Sequence, residues 1–497
     1  MRAMSSPRNM RVVRRPWDIQ LRRRDLLESM AATMGVLPAI AAADPRPSPS
    51  PAASGKDAFR HRGYLGWITD LASQPHADAR WPSISIDGVL LDDYRRQFRL
   101  LSKLGYNEVV IWGFYVARDW PVALEQSISA QRLAALEKLI ESAHDSKLHV
   151  YSGLGVYSWG FEEIIKAFPS LSGTNPQAMC GSNPEAWDWM QKVVDFVFRS
   201  LPIDGVSMQS ADQGRCTCDG CRVFSDAEYH SRLNVRVSDY IHQRWPGKTA
   251  AVSGWGMKFG DPRDLAAWAQ MGTKIDYLID VEDTSRDIDP HYRQQLIRSL
   301  ACDFGTLGGP QIEPPQHWKR DRWFLPTARR DAEHLLQVRK EGGNACEYYF
   351  HIVENPGDEF SFHTAGKVLA DCRTPYQRHM QAAAEEIYRA RPSVAQALVE
   401  LFLRAEDAYL TYRPTLRSGS ISLEPLVSDH SGPAIYLSEH LNRAQRAAYQ
   451  ADLESIRAGF QKLIADVPAK EKVNLILRCL DNALADIAAL SPDFSPR

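Results

Sequence analysis

The sequence predicts an α/β fold, a (β/α)8 barrel of the TIM type followed by a C-terminal α-helical domain. Three observations predict it. From His61 onward, short apolar or β-branched runs alternate with helix-length amphipathic segments, a pattern that implies parallel strands joined by crossover helices. Eight such runs fit within about 310 residues, the length of a barrel with enlarged loops. No Gly-rich phosphate fingerprint follows the first run, which disfavours the rival doubly wound open sheet.

In chain order the strands are expected at Gly63–Ile68, Glu108–Phe114, His149–Leu154, Gly205–Gln209, Thr249–Gly254, Ile275–Asp280, Leu300–Thr306 and Ala345–His351. They are short runs drawn largely from small apolar, β-branched and aromatic residues, as suits strands buried on both faces. Between them, apolar residues recur at helical spacing in Asp92–Leu104, Ala130–Asp145, Glu185–Ser200, Asp226–Arg244, Leu265–Met271 and Thr327–Glu341. Beyond Cys372 strand-like runs vanish. Tyr376–Arg389, Val394–Tyr409, Arg443–Val467 and Glu471–Leu490 are helical in period, with loop residues near Arg413–Pro433. The expected division is therefore a catalytic barrel over 59–372 and a helical domain over 373–497, the latter carrying no evident chemistry.

The head of the chain is a different object. Residues 1–43 hold eight Arg against Asp18, Asp25 and Glu28, whereas the whole chain of 497 residues has a net charge of −2. Arg22-Arg23-Arg24-Asp25-Leu26-Leu27 precedes an uncharged run, Met30 to Ala43, that ends in three alanines. This is similar to a twin-arginine signal with its cleavage site, and implies a periplasmic or secreted protein. The run is shorter than the roughly 20 residues a bilayer span needs. Residues 44–58, rich in Pro and Ser, read as a linker. With 44% hydrophobic and 24% charged residues the body is globular in composition, and no overall basic field recommends a nucleic-acid partner. No membrane span is expected once the signal is removed. The oligomeric state is left open.

In a parallel barrel, catalytic groups gather where strands hand over to the following loops. Those ends carry Trp67, Trp112, Trp159, Trp255 and Tyr349, whose flat rings suit the C–H faces of a sugar. They also carry the acids that hydrolysis of a glycosidic bond requires, one to protonate the leaving oxygen and one to meet charge at the anomeric carbon. Asp212, Glu282 and Glu347 are the catalytic candidates, with Asp280 nearby; Gln213 joins the aromatic residues as a candidate substrate contact. No cofactor is expected for the catalysis, and no G-x-S-x-G elbow or P-loop is present.

Asp212 sits in the most distinctive stretch, where the run Gly205–Gln209 leads through Ser210-Ala211-Asp212-Gln213-Gly214-Arg215 into Cys216-Thr217-Cys218-Asp219-Gly220-Cys221. Here the chain resembles the barrel enzymes of glycoside hydrolase family 163, endo-β-N-acetylglucosaminidases with a similar strand–Asp–Gly run leading into C-x-C-x-x-C. The resemblance covers about forty residues. It implies a carbohydrate substrate containing N-acetylglucosamine. Related N-acetylhexosaminidases place adjacent acids after the fourth strand. Here the pair is Asp212-Gln213, and Gln213 cannot donate as an acid, so the proton would come from Glu282, Glu347 or Asp212 itself. That departure keeps a non-catalytic carbohydrate-binding barrel in play. The cluster of Tyr348, Tyr349 and His351 keeps a polysaccharide lyase in play.

Of eight cysteines, Cys216, Cys218 and Cys221 lie within six residues, close enough to converge on one structural Zn2+. A closed site needs a fourth ligand. Cys180 on the preceding loop is preferred and His230 is the weaker choice. A disulfide, which an oxidising compartment permits, and free thiols are the alternatives. Cys302 and Cys346 fall inside strand-like runs and read as core.

Overall fold

The computed structural model describes residues 57–67, 86, 88–114, 119–281, 290–308, 324, 326–349, 355–412 and 441–488; of Trp67, Val281, Pro290, Tyr349 and Asp486 it describes the backbone. The signal-like head, most of the linker, Glu282, His351 and the loop residues near Arg413–Pro433 lie outside the described residues.

Strands β1 (His61–Trp67), β2 (Glu108–Trp112), β3 (His149–Gly155), β4 (Gly205–Gln209), β5 (Thr249–Ser253), β6 (Tyr277–Val281), β7 (Asp303–Gly308) and β8 (Ala345–Tyr349) form one closed parallel barrel in chain order. The ring shuts where β8 pairs with β1, His61 opposite Ala345 and Gly63 opposite Glu347. Each predicted run overlaps one of these strands. Cys302 is displaced from its expected place, lying just before β7 rather than in it.

Alternation along each strand divides the apolar residues into two sets. Leu65, Val110, Trp112, Tyr151, Ala251, Tyr277, Ile279 and Leu307 pack inside the barrel. Val109, Val150, Val206, Val252 and Leu278 face the surrounding helices. The N-terminal end of the interior is polar. His61 Nδ1 lies 2.7 Å from Glu108 Oε1, its Nε2 lies 3.3 Å from Asp303, and its ring stacks on Tyr277 at 4.3 Å. Burial opposes a charge on His61, but the two carboxylates outweigh it and lift its pKa to about 9. Charged groups at this end of a barrel belong to stability.

The crossover helices are α1 (Gly88–Leu104), α2 (Ala130–Asp145), α3 (Glu162–Ala167), α4 (Pro184–Ser200), α5 (Asp226–Arg244), α6 (Leu265–Gly272), α7 (Pro290–Ser299), α8 (Ala328–Lys340) and α9 (Pro356–Ala370). Their starts are written locally. Ser129 accepts from Arg132 N at the head of α2, Asn183 caps α4 ahead of Pro184, and Ser225 and Glu228 form a reciprocal capping box on α5.

Among the described residues four further helices follow, α10 (Tyr376–Tyr388), α11 (Pro392–Thr411), α12 (Arg443–Leu463) and α13 (Lys470–Ala488). They build a second apolar core around Tyr388, Phe402, Tyr449 and Phe460. That core also takes in Phe324, Ala328 of α8 and Phe360 of α9, while Phe362, Ala365 and Val368 of α9 belong to the barrel's own core. Helix α9 thus serves both. No helix among the described residues is long and apolar enough to cross a membrane.

Candidate active site at the barrel mouth

The site is built on the C-terminal ends of β2 to β5. Trp112 closes β2 with its indole buried inside the barrel. Space for it comes from Gly153 on β3, where a Cβ would lie 2.0 Å from Trp112 Cδ2. The chain then leaves β3 in a contorted loop, with Tyr157 at φ 60° and Trp159 at φ 64°. Bulky L-residues rarely adopt this left-handed region, and holding them there costs on the order of 1–3 kcal/mol each. What stabilises Trp159 is the loop after β4. Gln213 Oε1 accepts from the Trp159 backbone N–H at 2.7 Å, Gln213 N donates to Ser158 Oγ at 3.1 Å, and Gln213 Nε2 donates to Glu162 Oε1 at 2.7 Å. Asn175 Nδ2 donates to the Gln213 carbonyl at 2.9 Å. Gln213 is therefore a staple between loops, its amide engaged on both ends by protein.

So fixed, the Trp159 ring meets Trp112 edge to face, centroids 4.7 Å apart at 87°. Next to Gln213, Asp212 is exposed and its Oδ1 accepts from Trp255 Nε1 at 3.0 Å, at the end of β5. Trp112, Trp159, Gln213, Asp212 and Trp255 form one continuous series of contacts or chain neighbours across four strand ends. Those five sequence candidates are brought together.

The other candidates stand apart. Glu347 lies inside the barrel, wholly buried, with Ser207 Oγ of β4 donating to its Oε1 at 2.9 Å. Its Oε2 meets no hydrogen-bond partner among the described residues. Burial, helped by the nearby Glu108 charge and only partly opposed by the Ser207 hydrogen bond, pushes its pKa up to about 8, so the carboxyl is mostly protonated at neutral pH. It does not share the open setting of Asp212. Asp280 is buried on the outer side of β6, the side of Leu278, because Tyr277 and Ile279 occupy the inward positions. Glu282 follows β6 directly but lies outside the described residues, as do the side chains of Trp67 and Tyr349. Tyr348 faces the helices, its hydroxyl donating to Asp331 Oδ2 at 2.8 Å, and burial raises its pKa well above the usual range. It is no base at the mouth, which removes one support for lyase chemistry.

Beside the mouth, the Sγ atoms of Cys180, Cys216, Cys218 and Cys221 all lie within 4.8 Å of one another. Cys180 comes from the β3–α4 connection and the other three from the loop of Asp212. His230 is not among them. Its Nδ1 meets Ser210 Oγ at 3.2 Å, and burial lowers its pKa to about 4, leaving a neutral core imidazole.

No family model matches the chain, and no curated protein is similar to it in sequence. Family 163 membership therefore stays a local resemblance. Among solved structures the chain is similar to a GH138 enzyme targeting pectin rhamnogalacturonan II, with a TM-score of 0.55 and 8% identity, covering 87% of this chain and 71% of that one. A mutant of the Thermobaculum terrenum O-GlcNAc hydrolase aligns at a TM-score of 0.49 and 12% identity, covering 86% of this chain and 84% of that one. The likeness to the pectin-targeting enzyme places the fold.

Proposed function

We propose that this chain is a glycoside hydrolase that cleaves a glycosidic bond in an oligo- or polysaccharide at the C-terminal mouth of its barrel. One observation carries the reading: an exposed carboxylate, Asp212, is aimed by the Trp255 indole N–H and precedes Gln213, whose amide holds the backbone of Trp159 while the Trp159 ring packs on Trp112. The half-buried indoles of Trp159 and Trp255 take up the apolar faces of pyranose rings, with the buried Trp112 backing Trp159, and the carboxyl meets the polar atoms of the scissile linkage. Asp212 acts as proton donor to the leaving oxygen or as the group that orients an N-acetyl amide, with Glu282 after β6 as its partner carboxyl. Substrates containing N-acetylglucosamine fit the second role. That a GH138 enzyme is built on a similar barrel supports the reading at the level of fold. The twin-arginine-type head supports action outside the cytoplasm.

A carbohydrate-binding barrel without turnover is the second reading, favoured by Gln213 being spent as a staple where an acid would serve catalysis. A panel of glycans assayed for new reducing ends separates the two. Hydrolysis by the native chain, and a loss of about 100-fold or more in a folded Asp212→Asn variant that still binds the sugar, is the expected outcome. Binding with no reducing ends released by the native chain overturns the hydrolase; undiminished turnover by the variant removes Asp212 from the chemistry.

A further inference from the structure

We propose that Cys180, Cys216, Cys218 and Cys221 bind one tetrahedral Zn2+ through four thiolates, and that the ion fastens together the β3 and β4 loops bearing Trp159, Gln213 and Asp212. The spacing is that of a coordination shell. Cys180 Sγ lies 3.6 Å from Cys218 Sγ and 3.6 Å from Cys221 Sγ. A Zn–S bond of about 2.3 Å gives a tetrahedron with edges of about 3.8 Å. A disulfide requires about 2.05 Å between its two sulfurs, far shorter than these separations. Sulfurs this close enclose space for a single ion.

The surroundings hold groups able to hydrogen-bond thiolates. Cys218 N donates to Cys216 Sγ at 3.5 Å, while the hydroxyls of Thr174 and Ser182 lie 3.6 Å and 3.2 Å from the sulfurs of Cys216 and Cys221. Once the sulfurs are thiolates they can only accept, and hydrogen bonds of this kind orient metal ligands and spread their negative charge. The C-x-x-C turn is tight, Cys221 N and Arg222 N both donating to the Cys218 carbonyl. Arg215 binds the rim, its guanidinium donating to the carbonyl oxygens of Cys221 and Phe224, lying over the Tyr229 ring and pairing with Asp226 at 2.8 Å, so a cation shared with that carboxylate stands beside a site whose four thiolates and one Zn2+ sum to −2. The backbone closes over the cluster at Gly173, where φ is 62° and a Cβ would lie 2.6 Å from Cys216 Sγ. Only glycine fits there.

Metal binding does not depend on the glycosidase reading, whereas its consequence for Asp212 does. The test uses the full chain, purified without chelators or an affinity metal. Elemental analysis is expected to give one zinc per chain. Titration with a mercurial thiol reagent is expected to release that zinc as four thiols react, and cobalt replacement to produce thiolate-to-metal charge-transfer absorption. A Cys218→Ser variant is expected to lose most of the bound zinc; should it fail to fold, the native protein's zinc content and thiol titration still decide. Absence of metal with all thiols freely reactive, a mass lower by two hydrogens per disulfide, or iron in place of zinc would each overturn the proposal. One zinc in a protein that cleaves no glycan would instead sink the proposed activity and leave the site standing.

Discussion

Replacing Glu347 by Gln tests the physical account of the barrel interior. Gln keeps the shape and the acceptor for Ser207 Oγ but cannot ionise. In the native chain the carboxyl titrates at about 8 when folded, against an ordinary value of 4.5. Between those two values the unfolded chain has lost a proton that the folded chain still holds. Native stability therefore falls as pH rises through that window and levels off above it. A difference of roughly 3.5 pH units at about 1.4 kcal/mol each is a penalty of about 5 kcal/mol that the Gln variant escapes. At about 2.1 cal/mol/K per residue of unfolding entropy, this corresponds to ~5 °C in the melting midpoint of a chain this long. Calorimetric melts of both proteins from pH 4.5 to pH 9 are the assay. The midpoints are expected to diverge steadily in favour of Glu347→Gln and then run parallel. Curves parallel throughout, or a variant that becomes the less stable as pH rises, would refute the assignment of a neutral, desolvated carboxyl.

Two further outcomes follow from the mouth. Gly153→Ala places a methyl 2.0 Å from Trp112 Cδ2, so the indole must leave its seat; a loss of roughly 1–3 kcal/mol and an altered tryptophan fluorescence spectrum are expected, and an unchanged spectrum would contradict the packing. Gln213→Ala strips the partners from Trp159 N–H and Glu162, which should cost about 1–3 kcal/mol and open the 156–162 loop to limited proteolysis, whereas unchanged cleavage would deny the staple.

The eight strands were legible because short apolar or β-branched runs recur between amphipathic helix-length segments, even where, as in β4 and β5, the run is mostly of small residues. Helix α9 carries no one-sided apolar stripe. It is enclosed by the barrel on one side and the second core on another, so it has little polar face to contrast with an apolar one. Asp280 shows what one residue of register does: strict alternation with Tyr277 and Ile279 turns it toward the helices. Glu347 has the inward parity the sequence suggests, but depth along the barrel axis leaves no mark in a linear pattern. The juncture of Asp212 with Trp255 and of Gln213 with Trp159 is likewise tertiary, since neither partner is within forty residues in the chain. The left-handed backbone at Tyr157 and Trp159 had no signal in the sequence, which offers no Gly or Asn at those positions.

Because α9 is packed on two sides, the boundary between barrel and helical bundle is no clean place to cut the chain. Ending it after residue 372 would leave the barrel carrying Phe324, Ala328 and Phe360 with their covering removed. Such a fragment would be greasy along one flank and prone to self-association. Ring closure itself waits for β8, so a ribosome must deliver well over half of the polypeptide before the first strand finds its last neighbour. Synthesis, on this view, holds the cylinder open until the bundle that will shelter it is close behind.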